Sequence, residues 1–189
     1  MQKGQAGYLD ARKKKYGLQA LLGFGIVAMI LAFGIWKTHT RLNLFTVIAV
    51  LGCLPASKQL VEFITMFPYR SVDRKIVREI QEKAPLLTAA YDMVITSKEC
   101  VMPIDAIVIS GKTVFGYASN SKTDPVLLAD YIKRTLSANG YAKMTVKIVG
   151  EFIPFISRAE GLNSMVQIDR TDDLDHEEKI RDIILTLSM

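Results

Sequence analysis

Histidine and cysteine are scarce in this chain of 189 residues, which contains two of each. A histidine-based metal site or a Ser-His-Asp nucleophile system needs several such partners close together. His39 falls in a predicted loop and His176 near the predicted start of the last helix, while Cys53 and Cys100 are far apart in sequence. We therefore expect neither kind of site, no disulfide bond and no cofactor.

Charge is absent from residues 17–36, a run of twenty residues that are apolar or small apart from Gln19. Twenty helical residues span about 30 Å, the thickness of the hydrocarbon core of a bilayer. A signal peptide has a shorter apolar stretch of about 7–15 residues and ends at small residues. Because this run ends at Trp36 and Lys37, we predict a retained transmembrane helix over 17–36.

A second apolar segment, residues 42–67, contains Pro55, Lys58 and Glu62. Proline bends or breaks a helix, so the segment is either one kinked, tilted transmembrane helix or a half-spanning helix followed by an interfacial one. We favour the single helix because the short link before it favours a return to the starting side. Lys58 and Glu62 are four residues apart and are predicted to form an intramembrane ion pair.

Two pairs of small residues recur in these segments, Ala28 with Ala32 and Gly52 with Ala56. Small residues at this spacing allow two helices to approach closely in a membrane. We expect the pairs to pack the two helices against each other, with contacts between copies of the chain as a second interpretation.

The distribution of basic residues predicts the orientation. Residues 1–69 contain eight Lys or Arg and two acidic residues, whereas residues 70–189 contain sixteen and seventeen. The basic residues on the membrane flanks are Arg12, Lys13, Lys14, Lys15, Arg70, Arg74 and Lys75. By the positive-inside rule both termini are cytoplasmic and the protein is a multi-pass protein of the cell membrane. Its basic flanks predict contact with anionic lipid headgroups, and we do not expect nucleic-acid binding.

The chain therefore divides into a basic tail (1–16), a transmembrane helical hairpin (17–69) and one cytosolic domain (70–189). In the last part a helix capped by Ser71 precedes strands at 91–96, 104–109 and 113–118. A helix from Asp124 to Asn139, a strand at 144–149 and two further helices complete it. This order predicts a membrane-anchored α+β fold with a mixed sheet of about four strands.

Residues 110–113, Ser-Gly-Lys-Thr, match the end of a phosphate-binding P-loop. That motif needs an earlier glycine, where Ala106 stands, and a helix after it, where a strand is predicted. We therefore predict a two-residue turn between two strands at Gly111 and Lys112.

The order helix, three strands, helix and strand over residues 72–149 resembles the core of PD-(D/E)xK nucleases. Residues 104–115 are similar to the corresponding hairpin of nuclease-related (NERD) domains. The resemblance implies Asp105 with Glu79 or Glu82 as ligands of a catalytic Mg²⁺ or Mn²⁺. The third strand lacks the family's Glu-x-Lys, so the fold would be a degenerate one.

The overall plan also resembles small two-helix membrane proteins of Gram-positive bacteria, a resemblance that implies no activity. Two functions follow from the sequence. We favour a non-catalytic, membrane-tethered binding or scaffold protein with an unidentified protein partner. The alternative is a membrane-associated, metal-dependent nuclease-like enzyme.

Overall fold

A computed structural model describes residues 2–38, 44–97, 100–169 and 174–189. It contains two compact units. The two-helix unit is Leu9–Arg70, and the sheet unit combines the residues up to Tyr8 with Ser71–Met189. The sequence-based division instead placed residues 1–16 in a separate tail.

The two-helix unit is formed by α1 (Tyr8–Thr38) and α2 (Leu44–Met66). Both helices are long and apolar enough to cross a membrane. Pro55 lies inside α2, which continues through it as one helix. The predicted start of the second segment at Leu42, like His39 in the predicted external loop, lies outside the described residues.

Small residues form the contact between α1 and α2. A Cβ atom on Gly23 would lie 3.0 Å from the Cβ of Ala56, and one on Gly52 would lie 3.2 Å from Cγ2 of Val27. The prediction for Gly52 and Ala56 therefore matches the contact. The expected packing of Ala28 and Ala32 inside the hairpin is wrong, because both are exposed. Their contact with another copy of the chain stays a prediction. The face of α1 that contacts α2 carries Gly23 and Val27 instead of Ala28 and Ala32.

The sheet unit contains one mixed sheet in the order β1-β2-β3-β4. Its elements are α3 (Arg74–Lys83), β1 (Thr88–Thr96), β2 (Val101–Ser110), β3 (Thr113–Tyr117), α4 (Pro125–Ala138), β4 (Thr145–Val149), α5 (Phe152–Asp169) and α6 (Leu174–Thr186). The first three strands are antiparallel, and β4 runs parallel to β3. The predicted mixed sheet of four strands with flanking helices is thus confirmed.

Each face of the sheet is covered by two helices. On one face α4 and α6 contribute a core with Leu128, Ile132 and Ile180 fully buried. On the other face α3 and α5 contribute a second core around Ile80 and Phe155. The apolar stripes of α3 and α6 are therefore used for packing inside the unit.

Both chain termini cover the outer edge of β1. Tyr91 donates its N–H to the carbonyl of Gly4 at 2.8 Å, and Met189 donates its N–H to the carbonyl of Val94 at 3.1 Å. Unpaired edge strands recruit other strands and promote aggregation. The described N-terminal residues thus complete the sheet unit.

Helix caps and turns follow the local sequence with one exception. Asp124 caps α4 by accepting N–H groups of its first turn, as predicted. Gly111, at φ +52°, forms the predicted turn between β2 and β3. The predicted cap of α3 at Ser71 is wrong: Asp73 is the cap and accepts the N–H of Lys75 at 2.9 Å. A carboxylate is as good a cap as a hydroxyl, and Asp73 lies directly before the first helical turn.

Candidate membrane-surface site

The basic end of the two-helix unit is organised around Lys13. Its Nζ donates a short hydrogen bond to the carbonyl of Tyr69 and lies 3.1 Å from Oδ1 of Asp10. The side chain of Lys13 is only 15% exposed. Lys13 therefore joins the first turns of α1 to the chain that follows α2.

A cleft opens beside this contact. It has a volume of about 590 Å³ and is lined by Lys13, Lys14, Gly17, Leu18, Leu21, Phe63, Phe67 and Arg70. A Cβ on Gly17 would lie only 3.0 Å from Cε2 of Phe63. We call this feature the hairpin cleft.

The remaining flanking cations are exposed or bound locally. The guanidinium of Arg12 lies 5.4 Å from the ring centroid of Tyr16, in cation–π geometry. Lys15 is exposed on α1, and Arg74 and Lys75 are exposed in the first turn of α3. Lys15, Arg74 and Lys75 are thus open to solvent.

Lys58 and Glu62 are one turn apart on α2, as predicted. Lys58 is exposed and Glu62 is half-buried. The ion pairs within 4.0 Å in the described ranges do not include them.

The acidic residues implied by the nuclease resemblance lie on different elements. Glu79 and Glu82 are on α3, where Glu79 pairs with Lys83 at 3.0 Å. Asp105, on β2, accepts the N–H of Ser119 at 2.5 Å. Across the described residues no three His, Cys, Asp or Glu side chains are grouped as metal ligands. Metal binding by these residues stays a prediction of the resemblance.

Asp105 also affects its neighbour Tyr117. Burial of the Tyr117 ring raises its pKa, the negative charge of Asp105 raises it further, and a hydrogen bond with Ser119 lowers it. Asp105 thus acts on the end of β3, where it organises the turn toward α4.

Sequence reasoning missed two buried carboxylates. Asp92, only 2% exposed, accepts the N–H of Gly7 at 2.6 Å through Oδ2 and the N–H of Val72 at 2.7 Å through Oδ1. Its φ of +53° is rare outside glycine and tolerated best by Asp and Asn. Asp92 therefore binds two segments inside the sheet unit: Gly7, just before α1, and Val72, shortly after α2.

The second buried carboxylate is Glu177, 7% exposed, on α6. Its oxygens accept the N–H of Gly111 at 2.6 Å and the hydroxyl of Thr88 at 2.7 Å. The acidic residues near the predicted start of the last helix gave no indication that Glu177 would be buried. The burial of Glu177 thus fixes the turn between β2 and β3 against α6.

Exposed large apolar side chains of the sheet unit lie at several places, among them the later part of α5 with Met165 and Ile168 and the first turns of α4 and α5. Because β3 and β4 are parallel neighbours, the helices that follow them begin at the same edge of the sheet. There Val126 is 76% exposed, Leu127 56% and Ile153 76%. We call these three residues the apolar edge.

Comparison of the chain with protein-family models, curated proteins and solved structures gives no match. Two surfaces of the described residues are candidates for contact with other molecules: the hairpin cleft of the two-helix unit and the apolar edge of the sheet unit.

Proposed function

We propose that this protein is a non-catalytic, membrane-tethered binding or scaffold protein. The two-helix unit crosses the cell membrane as a hairpin with both termini in the cytoplasm. The sheet unit then contacts an unidentified protein partner at the membrane surface.

The observation that carries this proposal is the outward exposure of apolar side chains on both helices. Leu21 and Leu54, for example, are 71% and 70% exposed. In the most apolar stretches of the two helices only 17% and 11% of residues are buried. Soluble proteins rarely expose continuous apolar surface of this extent, whereas lipid would cover it.

The connection at Asp92 supports the orientation. The chain leaves the sheet unit after Tyr8 and re-enters it at Ser71. Two crossings of a membrane return a chain to its starting side, as this connection requires. The basic residues at the same end of the two helices agree with a cytoplasmic location.

The roles of the carboxylates support a binding function over catalysis. Asp92 and Glu177 hold backbone N–H groups inside the sheet unit, and Asp105 holds a third. Contact with a partner is instead favoured at the apolar edge. Val126 and Ile153 are each 76% exposed in the first turns of the helices that follow β3 and β4, where a partner would cover them.

Membrane fractionation and co-purification of the full chain test the two parts of the proposal. We expect the protein to sediment with membranes and to resist extraction by carbonate. After solubilisation in mild detergent, Val126→Asp with Ile153→Asp should lose a co-purifying protein. Ile168→Asp, at an 81% exposed position near the other end of α5, is the matched control.

A chain found in the soluble fraction would refute the membrane tether. Equal recovery of every co-purifying protein with the double variant and the control would refute the apolar edge as the partner surface.

A further inference from the structure

The hairpin cleft combines a charged end with an apolar wall. Lys14, Leu18 and Leu21 follow one another at spacings of three and four residues, so they share one face of α1. Phe63 and Phe67 share a face of α2, with ring centroids 5.7 Å apart. Along α1 the surface therefore changes from cationic to apolar within two helical turns.

The two cations at the open end have no partner in the parts of the chain that the structure describes. Lys14 and Arg70 are exposed, and neither appears in a hydrogen bond or ion pair there. Lys13, by contrast, is occupied by Asp10 and the carbonyl of Tyr69. Lys13 thus positions the segment that carries Arg70. Lys14 and Arg70 are the cations available to bind an anion.

The shape of the cleft depends on Gly17. A side chain at this position would meet the ring of Phe63, the nearest contact being 3.0 Å from the added Cβ. The absence of a side chain lets α1 and α2 approach closely at the base of the cleft. Phe63 and Phe67 of α2 line the cleft together with Leu18 and Leu21 of α1.

We propose that the hairpin cleft binds a single anionic phospholipid. Its phosphate lies between Lys14 and Arg70, and an acyl chain lies along Leu18, Leu21 and Phe63. The charges are complementary, because guanidinium and ammonium groups bind phosphate oxygens with charge-assisted hydrogen bonds. Leu18, Leu21 and Phe63 would contact an acyl chain, whereas a free phosphate would leave these apolar side chains without a contact. This inference rests on the proposed membrane location.

Native mass spectrometry of the full chain in neutral detergent tests the site. The probes are dioleoyl phosphatidylglycerol and dioleoyl phosphatidylcholine, and the measured quantity is the ratio of their one-lipid adducts. Two cations near an anionic headgroup correspond to a preference of about 30-fold for the anionic lipid. Lys14→Gln with Arg70→Gln should reduce this ratio to near one.

The charge-matched control is Lys15→Gln with Lys75→Gln. Both residues are exposed and lie outside the cleft lining. This control should keep the preference of the wild type. An equal loss in both double variants would contradict a discrete site, since it would reflect general surface charge; no loss in the first variant would also overturn the site.

Two further arms separate a lipid from a free phosphate. Leu21→Gln should weaken the dioleoyl phosphatidylglycerol adduct, and glycerol 3-phosphate at equal concentration should not displace that lipid. Displacement by glycerol 3-phosphate would overturn the lipid assignment in favour of a free-phosphate site. Sedimentation with membranes is measured for every variant. Variants that sediment but show no lipid preference refute the cleft alone, whereas a wild type that does not sediment refutes the proposed function.

Discussion

Replacing Asp92 should destabilise the sheet unit more than any other single loss of a carboxylate in it. In Asp92→Ala the N–H groups of Gly7 and Val72 lose their acceptor while remaining in a buried site. Each charge-assisted hydrogen bond contributes about 1.5–3 kcal/mol. The alanine also occupies φ +53° without the tolerance of Asp, at about 1 kcal/mol.

Removal of a buried charge offsets part of that loss, because the desolvation of the carboxylate is relieved. We therefore expect a net loss of about 3 kcal/mol in the free energy of unfolding. Asp92→Gly separates the two contributions, since glycine adopts positive φ freely, but it adds an entropic cost of about 0.5–1 kcal/mol. Asp92→Asn keeps one acceptor oxygen and should cost less than either variant.

Pulse proteolysis in urea on the full chain in mild detergent measures this loss. The single tryptophan lies in α1, so its fluorescence would not report on the sheet unit. Asp130→Ala, which removes an exposed ion pair with Arg134, is the control and should change stability by less than about 0.5 kcal/mol. A loss below about 1 kcal/mol for Asp92→Ala would refute the role assigned to this carboxylate.

Three other substitutions test separate parts of the structure. Gly23→Leu should lower the midpoint of thermal aggregation in detergent by several degrees, whereas Gly25→Leu should not, because a Cβ on Gly25 meets nothing within 4 Å; equal effects would contradict the contact between α1 and α2. Glu177→Ala should lower the free energy of unfolding, measured by urea denaturation, by about 2 kcal/mol, because two buried hydrogen bonds are lost. Glu178→Ala should leave it nearly unchanged; equal effects of the two substitutions would contradict the role of the buried hydrogen bonds. Burial raises the pKa of Tyr91 to about 12. As the pH rises, this phenol ionises near pH 10 in the unfolded chain, before it ionises in the folded one. The free energy of unfolding should therefore be about 1.4 kcal/mol lower at pH 11 than below pH 10. Tyr91→Phe should abolish that contribution and, because the buried hydroxyl has no partner among the described residues, leave stability at pH 8 unchanged or higher. An unchanged pH profile would contradict the burial of this phenol.

Local signals were enough to predict much of the sheet unit. Asp124 before Pro125 and Gly111 at a two-residue turn act within a few residues of chain, so the cap and the turn are readable from sequence. The positions of Asp92 and Glu177 are not, because their partners lie up to 89 residues away. The local sequence around a carboxylate in a strand or at a helix start does not indicate which backbone N–H groups the tertiary packing will place beside it.

The candidate site shows the same limit. The basic run before α1 was evident from sequence, and so was the apolar length of both helices. That Lys13 would be half-buried, while Lys14 and Arg70 have no partner among the described residues, depends on the packing of the chain after α2 onto α1. Sequence predicted the charge of this surface but not the cleft within it.

Cysteine accessibility tests the proposed topology most directly. Cys100 is exposed in the sheet unit, and Lys37 is exposed at the end of α1. A membrane-impermeant maleimide should label Cys100 in inverted membrane vesicles but not in intact cells. Lys37→Cys in a Cys53→Ser and Cys100→Ser background should show the reverse. Labelling of Cys100 in intact cells, or of both positions from the same side, would contradict a hairpin that holds the sheet unit in the cytoplasm.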